Sequence, residues 1–247
     1  MKYFLVVAFF FFYLNISAQI NSGKITYKLN MDEFYKGLEE QQSSQSVLNM
    51  FEKTIGLIED MSFTLEFDHE KGLFKKEKTM AVGNEITSIV NLANTLATDG
   101  IYYYDLKNKK QLFLPTNTPE SYYVAQDITP MNWNLTKETK RIGKFNCYKA
   151  TTHIHKNDKD FLVTAWYTPE IPFSYGPKQF AGTLPGTILE LQELVGRTYT
   201  ATEIILNPKQ AIKIEWPKQE NIKIIDRKEY DKKGEEVKKK LQELQHY

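Results

Sequence analysis

Cysteine is nearly absent from this chain of 247 residues, Cys147 being the single example. One thiol cannot close an internal disulfide, so the fold must rest on its core even in an oxidising compartment. Cys147 also lies too far from the N-terminus to be a lipid-modified N-terminal cysteine. Net charge is scarce as well: 32 basic residues face 31 acidic ones. That balance provides no general basic field for nucleic acid. Histidine is limited to four residues. Apolar runs are limited to one, Tyr3 to Leu14, which is shorter than the roughly 20 residues needed to span a bilayer. Catalytic signatures are missing too. There is no Gly-x-Ser-x-Gly elbow, no Cys-His signature around Cys147, and no glycine-rich loop ending in Gly-Lys-Ser/Thr.

The single apolar run has a meaning of its own. Met1-Lys2 precedes it, and Ser17-Ala18 supplies small residues ahead of Gln19. Residues 1–18 therefore read as a secretory signal peptide cut after Ala18. Without Lys2, the remainder carries 31 basic and 31 acidic residues. An exported protein is expected, with no transmembrane segment in the mature chain. Its place would be periplasmic, outer-membrane-associated or secreted.

Aromatic residues are plentiful, with 15 Tyr and 15 Phe, which suits pleated, half-buried surfaces. Ile25, Tyr27 and Leu29 alternate on one strand face, as do Phe63, Leu65 and Phe67. Strands are predicted over 73–78, 101–106, 111–115, 121–125, 139–142 and 146–155. Residues 161–167 predict a central strand buried on both faces. Residues 198–206 predict another, and 212–216 a short one. Between them, Val47, Leu48, Phe51, Ile55 and Ile58 fall at helical spacing, giving a helix over 44–59. A second helix over 85–98 has Ile89, Ala93 and Leu96 on one face, with Asn84 as its cap. From Asp226 the chain becomes rich in Lys and Glu. Tyr230, Val237, Leu241 and Leu244 there form a thin apolar stripe on a C-terminal helix. No fixed-period repeat and no linker interrupts the chain. The expected division is a leader (1–18), one β-rich domain (19–225) and a charged helix (226–247). Short strand-to-strand spacing implies a curved antiparallel sheet with two covering helices, a mainly β (α+β) fold.

Four groups of residues are candidate sites. The first is the stretch Gly176 to Glu190, reading GPKQFAGTLPGTILE. Pro185 followed by Gly186 suits a type II turn. The stretch is either a rigid surface loop that meets a partner or a compact corner between two long strands. Second, His153 and His155 share a strand face, with Asp158 or Asp160 near enough to add an oxygen for a metal-assisted hydrolase. A solvated strand face explains the pair as simply, and no metal site is assigned. Third, Glu59-Asp60 and Glu235-Glu236 are adjacent on helices and so do not face each other as acid/base pairs. Fourth, Tyr102, Tyr104, Tyr123 and Trp166 would line an apolar cavity if the sheet curls beneath the second helix. No catalytic residue and no cofactor is assigned.

The stretch also carries a resemblance. Leu184-Pro185-Gly186, followed by Ile188 and preceded by Gly176-Pro177 and Phe180, resembles the GLPGLI family of secreted Bacteroidota proteins. The motif reads TLPGTI here, departing from the family at Thr183 and Thr187. Trp166-Tyr167-Thr168 ahead of Ile171-Pro172, and Arg141-Ile142-Gly143 ahead of Cys147-Tyr148, strengthen the likeness over about residues 133 to 191. The resemblance implies an exported, β-rich protein without an assigned activity, and it carries over no catalytic residues. The pattern is also distantly similar to the unclosed β-barrel of periplasmic lipoprotein carriers. The function expected from these readings is non-enzymatic binding of an apolar ligand or an envelope protein through the curved sheet. The alternatives are an interaction protein using the loop around Pro185 and the metal-assisted hydrolase.

Overall fold

The computed structural model describes residues 19–78, 87–116, 118, 121–156, 159–194, 196–217 and 223–244; the side chains at 156 and 237–244 lie outside that description. The expected leader at 1–18 and the expected cap Asn84 also lie outside it, as does Asp158. Among the described residues no helix is long and apolar enough to cross a membrane.

Among the described residues twelve strands form one sheet. They are β1 (Ser22–Asn30), β2 (Phe63–Asp68), β3 (Lys71–Lys76), β4 (Gly100–Asp105), β5 (Lys110–Pro115), β6 (Tyr122–Asp127), β7 (Asn134–Ile142), β8 (Phe145–Lys156), β9 (Lys159–Thr168), β10 (Thr187–Glu193), β11 (Arg197–Leu206) and β12 (Lys223–Asp226). Their spatial order is β12-β6-β5-β4-β3-β2-β1-β11-β10-β9-β8-β7. Two meanders, β1–β6 and β7–β11, therefore run in opposite directions from a joint where β1 pairs with β11. The mainly β class and the antiparallel sheet hold, with one exception: β12 pairs parallel to β6.

Connectivity forces the curvature. β6 and β7 are ten strand positions apart, or about 48 Å if the sheet were flat. Yet only residues 128–133 join them, a link reaching about 25 Å when fully extended. The sheet must therefore curl until its ends approach, giving an unclosed barrel.

The concave face follows the sequence alternation. Ile25, Tyr27, Leu29, Phe63, Leu65 and Phe67 are all buried. Helices α2 (Gln45–Asp60) and α3 (Thr87–Ala97) turn Ile55, Ile58, Ala93 and Ala97 into the same core. These are the two expected covering helices. A further helix, α1 (Asp32–Glu40), was not expected. It contains Gly37, has no buried residue, and is anchored by Phe34 against Phe51 at 5.4 Å. The charged C-terminal helix is α4 (Arg227–Leu244).

Three strand expectations need correction. β9 is neither central nor buried on both faces: it is third from the β7 edge, and Leu162 is 54% exposed. Its apolar run outlines a strand whose outer side meets solvent. Residues 212–216 form no strand; Trp216 instead lies against the outer surface, with Lys71 5.4 Å above its ring. β12 was missed because four residues are too few for an alternation to show.

Candidate functional site

The concave side is divided into a sealed half and an open half, and the division begins with residues 169–186. This link between β9 and β10 folds back into the barrel. Ile171, Tyr175, Lys178, Phe180, Ala181 and Leu184 are buried. The hydroxyl of Tyr104 donates to the carbonyl of Lys178 at 2.6 Å, and that of Tyr27 donates to the carbonyl of Ile188 at 2.7 Å. The hydroxyl of Tyr175 donates to the carbonyl of His69 at 3.0 Å. Its ring stacks on Phe67, with centroids 5.1 Å apart. Gly72 makes this approach possible, because a Cβ there would meet Cε1 of Tyr175 at 2.5 Å. A glycine inside a strand often marks such a close approach.

The Pro-Gly turn differs from the type II expectation. Gly186 has φ +150°, and its N–H donates to the carbonyl of Leu184 at 2.9 Å, a tighter closure than a four-residue turn. A Cβ on Gly186 would lie 2.3 Å from the carbonyl oxygen of Thr168. Pro185 is exposed, but Leu184 and Gly186 on either side are buried. The motif is an internal plug with one residue at the surface.

The plug is fixed by a buried ionic group. Lys178 is 3% exposed, and its Nζ lies 2.6 Å from Glu193 and 3.4 Å from Asp99. Arg197 reaches the same Glu193 oxygen at 3.1 Å and donates to the carbonyl of Leu96 at 2.9 Å. Burial alone would pull the Lys178 ammonium down, but Glu193 and Asp99 outweigh it and hold the group above its ordinary value. Burial likewise opposes ionisation of Asp99. Lys178 and the Tyr102 hydroxyl overcome this and leave its carboxyl below the usual range. Lys178 also adopts φ +56°, a left-handed conformation costing a non-glycine residue about 1 kcal/mol. A strained, buried, paired lysine is an over-determined anchor.

Beyond this anchor the concave side is open. A cleft of about 720 Å³ lies between α4, strands β5 and β6, the 128–131 link and the end of β8. Asp99, Tyr102 and Gln179 form the side shared with the plug. Tyr102 is stacked on Phe113 with centroids 4.7 Å apart, and Tyr230 of α4 meets Phe113 edge-on at 5.9 Å. Gln111 is 2% exposed, and its Nε2 has no hydrogen-bond partner. Gln126 sits directly opposite it across the β5–β6 pair. Two ion pairs stand on the walls, Asp127 with Lys110 and Arg227 with Asp231 at 2.9 Å, beside Glu235, for which no ion pair is found among the described residues.

The four aromatic candidates do not meet. Tyr102 borders the cleft, whereas Tyr104 is fully buried beneath the plug. Tyr123 faces the other side of the sheet, edge-on to Tyr103 at 6.0 Å. Trp166 lies on the outer surface of β9, with Lys140 4.5 Å above its ring. The apolar cavity expected among them is occupied by the protein's own plug. His153 and His155 are both exposed, with Nδ1 of His155 2.9 Å from Asp160. Among the described residues no group of three or more His, Cys, Asp or Glu is placed to hold a metal. Cys147 is buried, and burial above all pushes its thiol up to about 11. Gln111 and Gln126 escaped notice in the sequence. Nothing in a β-strand pattern marks a buried glutamine as unpartnered, although a polar residue on the inward face of β5 was the available signal.

Three comparisons place this arrangement. A family model described as "Protein of unknown function (Porph_ging)" matches residues 154–190. That match covers the end of β8, all of β9, the plug and the start of β10, and the family is associated with Bacteroidota. No curated protein matches. Two crystal forms of PNGF-II have a similar fold, with TM-scores of 0.53 and 0.52. Each is 18% identical, and each alignment covers 86% of this chain and 32% of the PNGF-II chain. The chain thus spans about a third of the length of those structures, and at that identity the likeness is one of fold.

Proposed function

We propose that the protein is an exported, non-catalytic binding protein of the GLPGLI type, and that its ligand site is the cleft beneath α4. The observation that carries this reading is the contrast across the concave side. One half is filled by the chain's own plug, while the other holds a cleft of about 720 Å³ with a buried, unpartnered amide on its wall. That volume lies in the ordinary range for small-ligand sites. The leader-like residues 1–18 support export. The ion pairs Lys110–Asp127 and Arg227–Asp231 in the cleft and the raised thiol of Cys147 support binding over catalysis.

A fragment screen followed by amide NMR of the folded protein tests the site. Bound fragments are expected to perturb resonances of Gln111, Gln126, Gln179 and Tyr230. Fragments that perturb only residues elsewhere would remove the cleft from consideration. Fractionation of the producing cell tests export: full-length protein retaining residues 1–18 in the cytoplasm would overturn it.

A further inference from the structure

Resting on that reading of the cleft, we infer that its ligand is a neutral, polyhydroxylated ring compound of the carbohydrate class. The residues themselves set the requirement. Gln111 presents a buried Nε2 donor without an acceptor. A donor left in that state favours a ligand that brings an acceptor oxygen into the cleft. Gln126, its cross-strand partner, projects from the same face. Gln179 adds a third amide from the plug side. Amides both donate and accept, as hydroxyl groups do, so the three suit a ligand with several hydroxyls.

Charge narrows the class. Asp127 is held by Lys110, Asp231 by Arg227, Asp99 by Lys178, and His155 stands beside Asp160. A charged ligand would have to compete with these pairs, only Glu235 on the α4 side of the cleft lacking one among the described residues, whereas a neutral ligand leaves them intact. The remaining wall is aromatic: Tyr102 and Phe113 are stacked, and Tyr230 stands edge-on to Phe113. Ring compounds that are apolar on one face and hydroxylated at the rim meet both surfaces at once. A purely apolar ligand would leave the Gln111 donor unmatched. A polyanion would meet the carboxylates of Asp99, Asp127, Asp231 and Glu235.

The test is a titration of the full chain, followed through the side-chain amide signals of Gln111, with four probes: maltotriose, cellotriose, trigalacturonate and spermidine. Maltotriose or cellotriose is expected to shift the Gln111 signals and the backbone amides of Gln126 and Gln179. Gln111→Met is expected to weaken that binding on the order of tenfold, the effect of one lost hydrogen bond. The same variant is expected to melt at a higher temperature, because it removes an unmatched buried amide. A lower melting temperature would show that the amide already has a partner and would overturn the inference. Cleft shifts from only trigalacturonate or spermidine would overturn the carbohydrate class while leaving the cleft as the binding site. No cleft shift from any of the four probes, combined with fragments binding elsewhere, would overturn both.

Discussion

The two halves of the concave side are built from similar strands yet have opposite characters. Under the plug, tyrosine hydroxyls donate to backbone carbonyls and a buried lysine is held between two carboxylates. Under α4, the amide of Gln111 has no partner and the cover is a charged helix touching the sheet through Tyr230. The first half holds its buried charges in pairs, although Arg197 Nε donates and Asp99 Oδ1 accepts no hydrogen bond there; the second leaves a neutral amide, Gln111 Nε2, unmet at the wall of a cleft. Buried charges held in pairs rigidify a core, whereas an unmatched amide beside an open cleft lowers stability and can be met by a ligand. The difference teaches where stability and function are separated in this fold.

The largest expected test of the sealed half is alkaline pH. Burial raises the hydroxyl of Tyr27, Tyr104, Tyr175 and Tyr199 above the ordinary value of 10.0, and Lys178 is raised above 10.5. A group raised on folding contributes its full stability below the unfolded value and loses it as pH climbs toward the folded one. Stability should therefore fall above about pH 10, by about 1.4 kcal/mol per pH unit for each such group. Urea midpoints between pH 8 and 11 check this; a flat profile would mean the hydroxyls are not sealed.

Next in size is Glu193→Ala, which strips the shared carboxylate from Lys178 and Arg197. Breaking a buried pair from one side costs about 3–5 kcal/mol, so chemical denaturation should show a loss of that order. Gly186→Ala should lose about 2–3 kcal/mol, because its Cβ would strike the Thr168 carbonyl at 2.3 Å. Tyr104→Phe should lose about 1 kcal/mol, the net worth of its hydrogen bond to Lys178. On the open side, Arg227→Ala removes an exposed pair with Asp231 and should change stability by less than about 1 kcal/mol. An equal loss in the two halves would abolish the distinction between them.

Much of the fold was readable from alternation. Ile25, Tyr27 and Leu29 on β1, and Phe63, Leu65 and Phe67 on β2, point inward as their spacing requires. The helix predicted at 44–59 lies at Gln45–Asp60 for the same reason. The plug was not readable. Proline, glycine and polar residues in GPKQFAGTLPG look like a surface connection, and the groups that let the segment be buried, Glu193 and Asp99 around Lys178 and Gly72 beneath Tyr175, are distant in the chain. The cleft was half readable. Of the four rings expected to line a cavity, Tyr102 borders the cleft, and its neighbours there, Tyr230 and Gln179, come from segments 128 and 77 residues away. Periodicity reports which way a side chain points, not what stands opposite when a sheet curls.

The joint between β1 and β11 carries a consequence for the order in which the protein can form. Gly23 pairs with Leu206, 183 residues later. Folds dominated by such distant pairings close slowly. At ordinary synthesis rates, β11 would follow β1 by about 10–30 seconds. During that interval β1 can pair with β2 but must wait for its other neighbour. The barrel is therefore a structure completed late, from two meanders that can each begin without the other. Pulse-labelled hydrogen exchange during refolding should find the β1–β2 amides protected before those between β1 and β11. Simultaneous protection of both would show that the two meanders assemble in a single step.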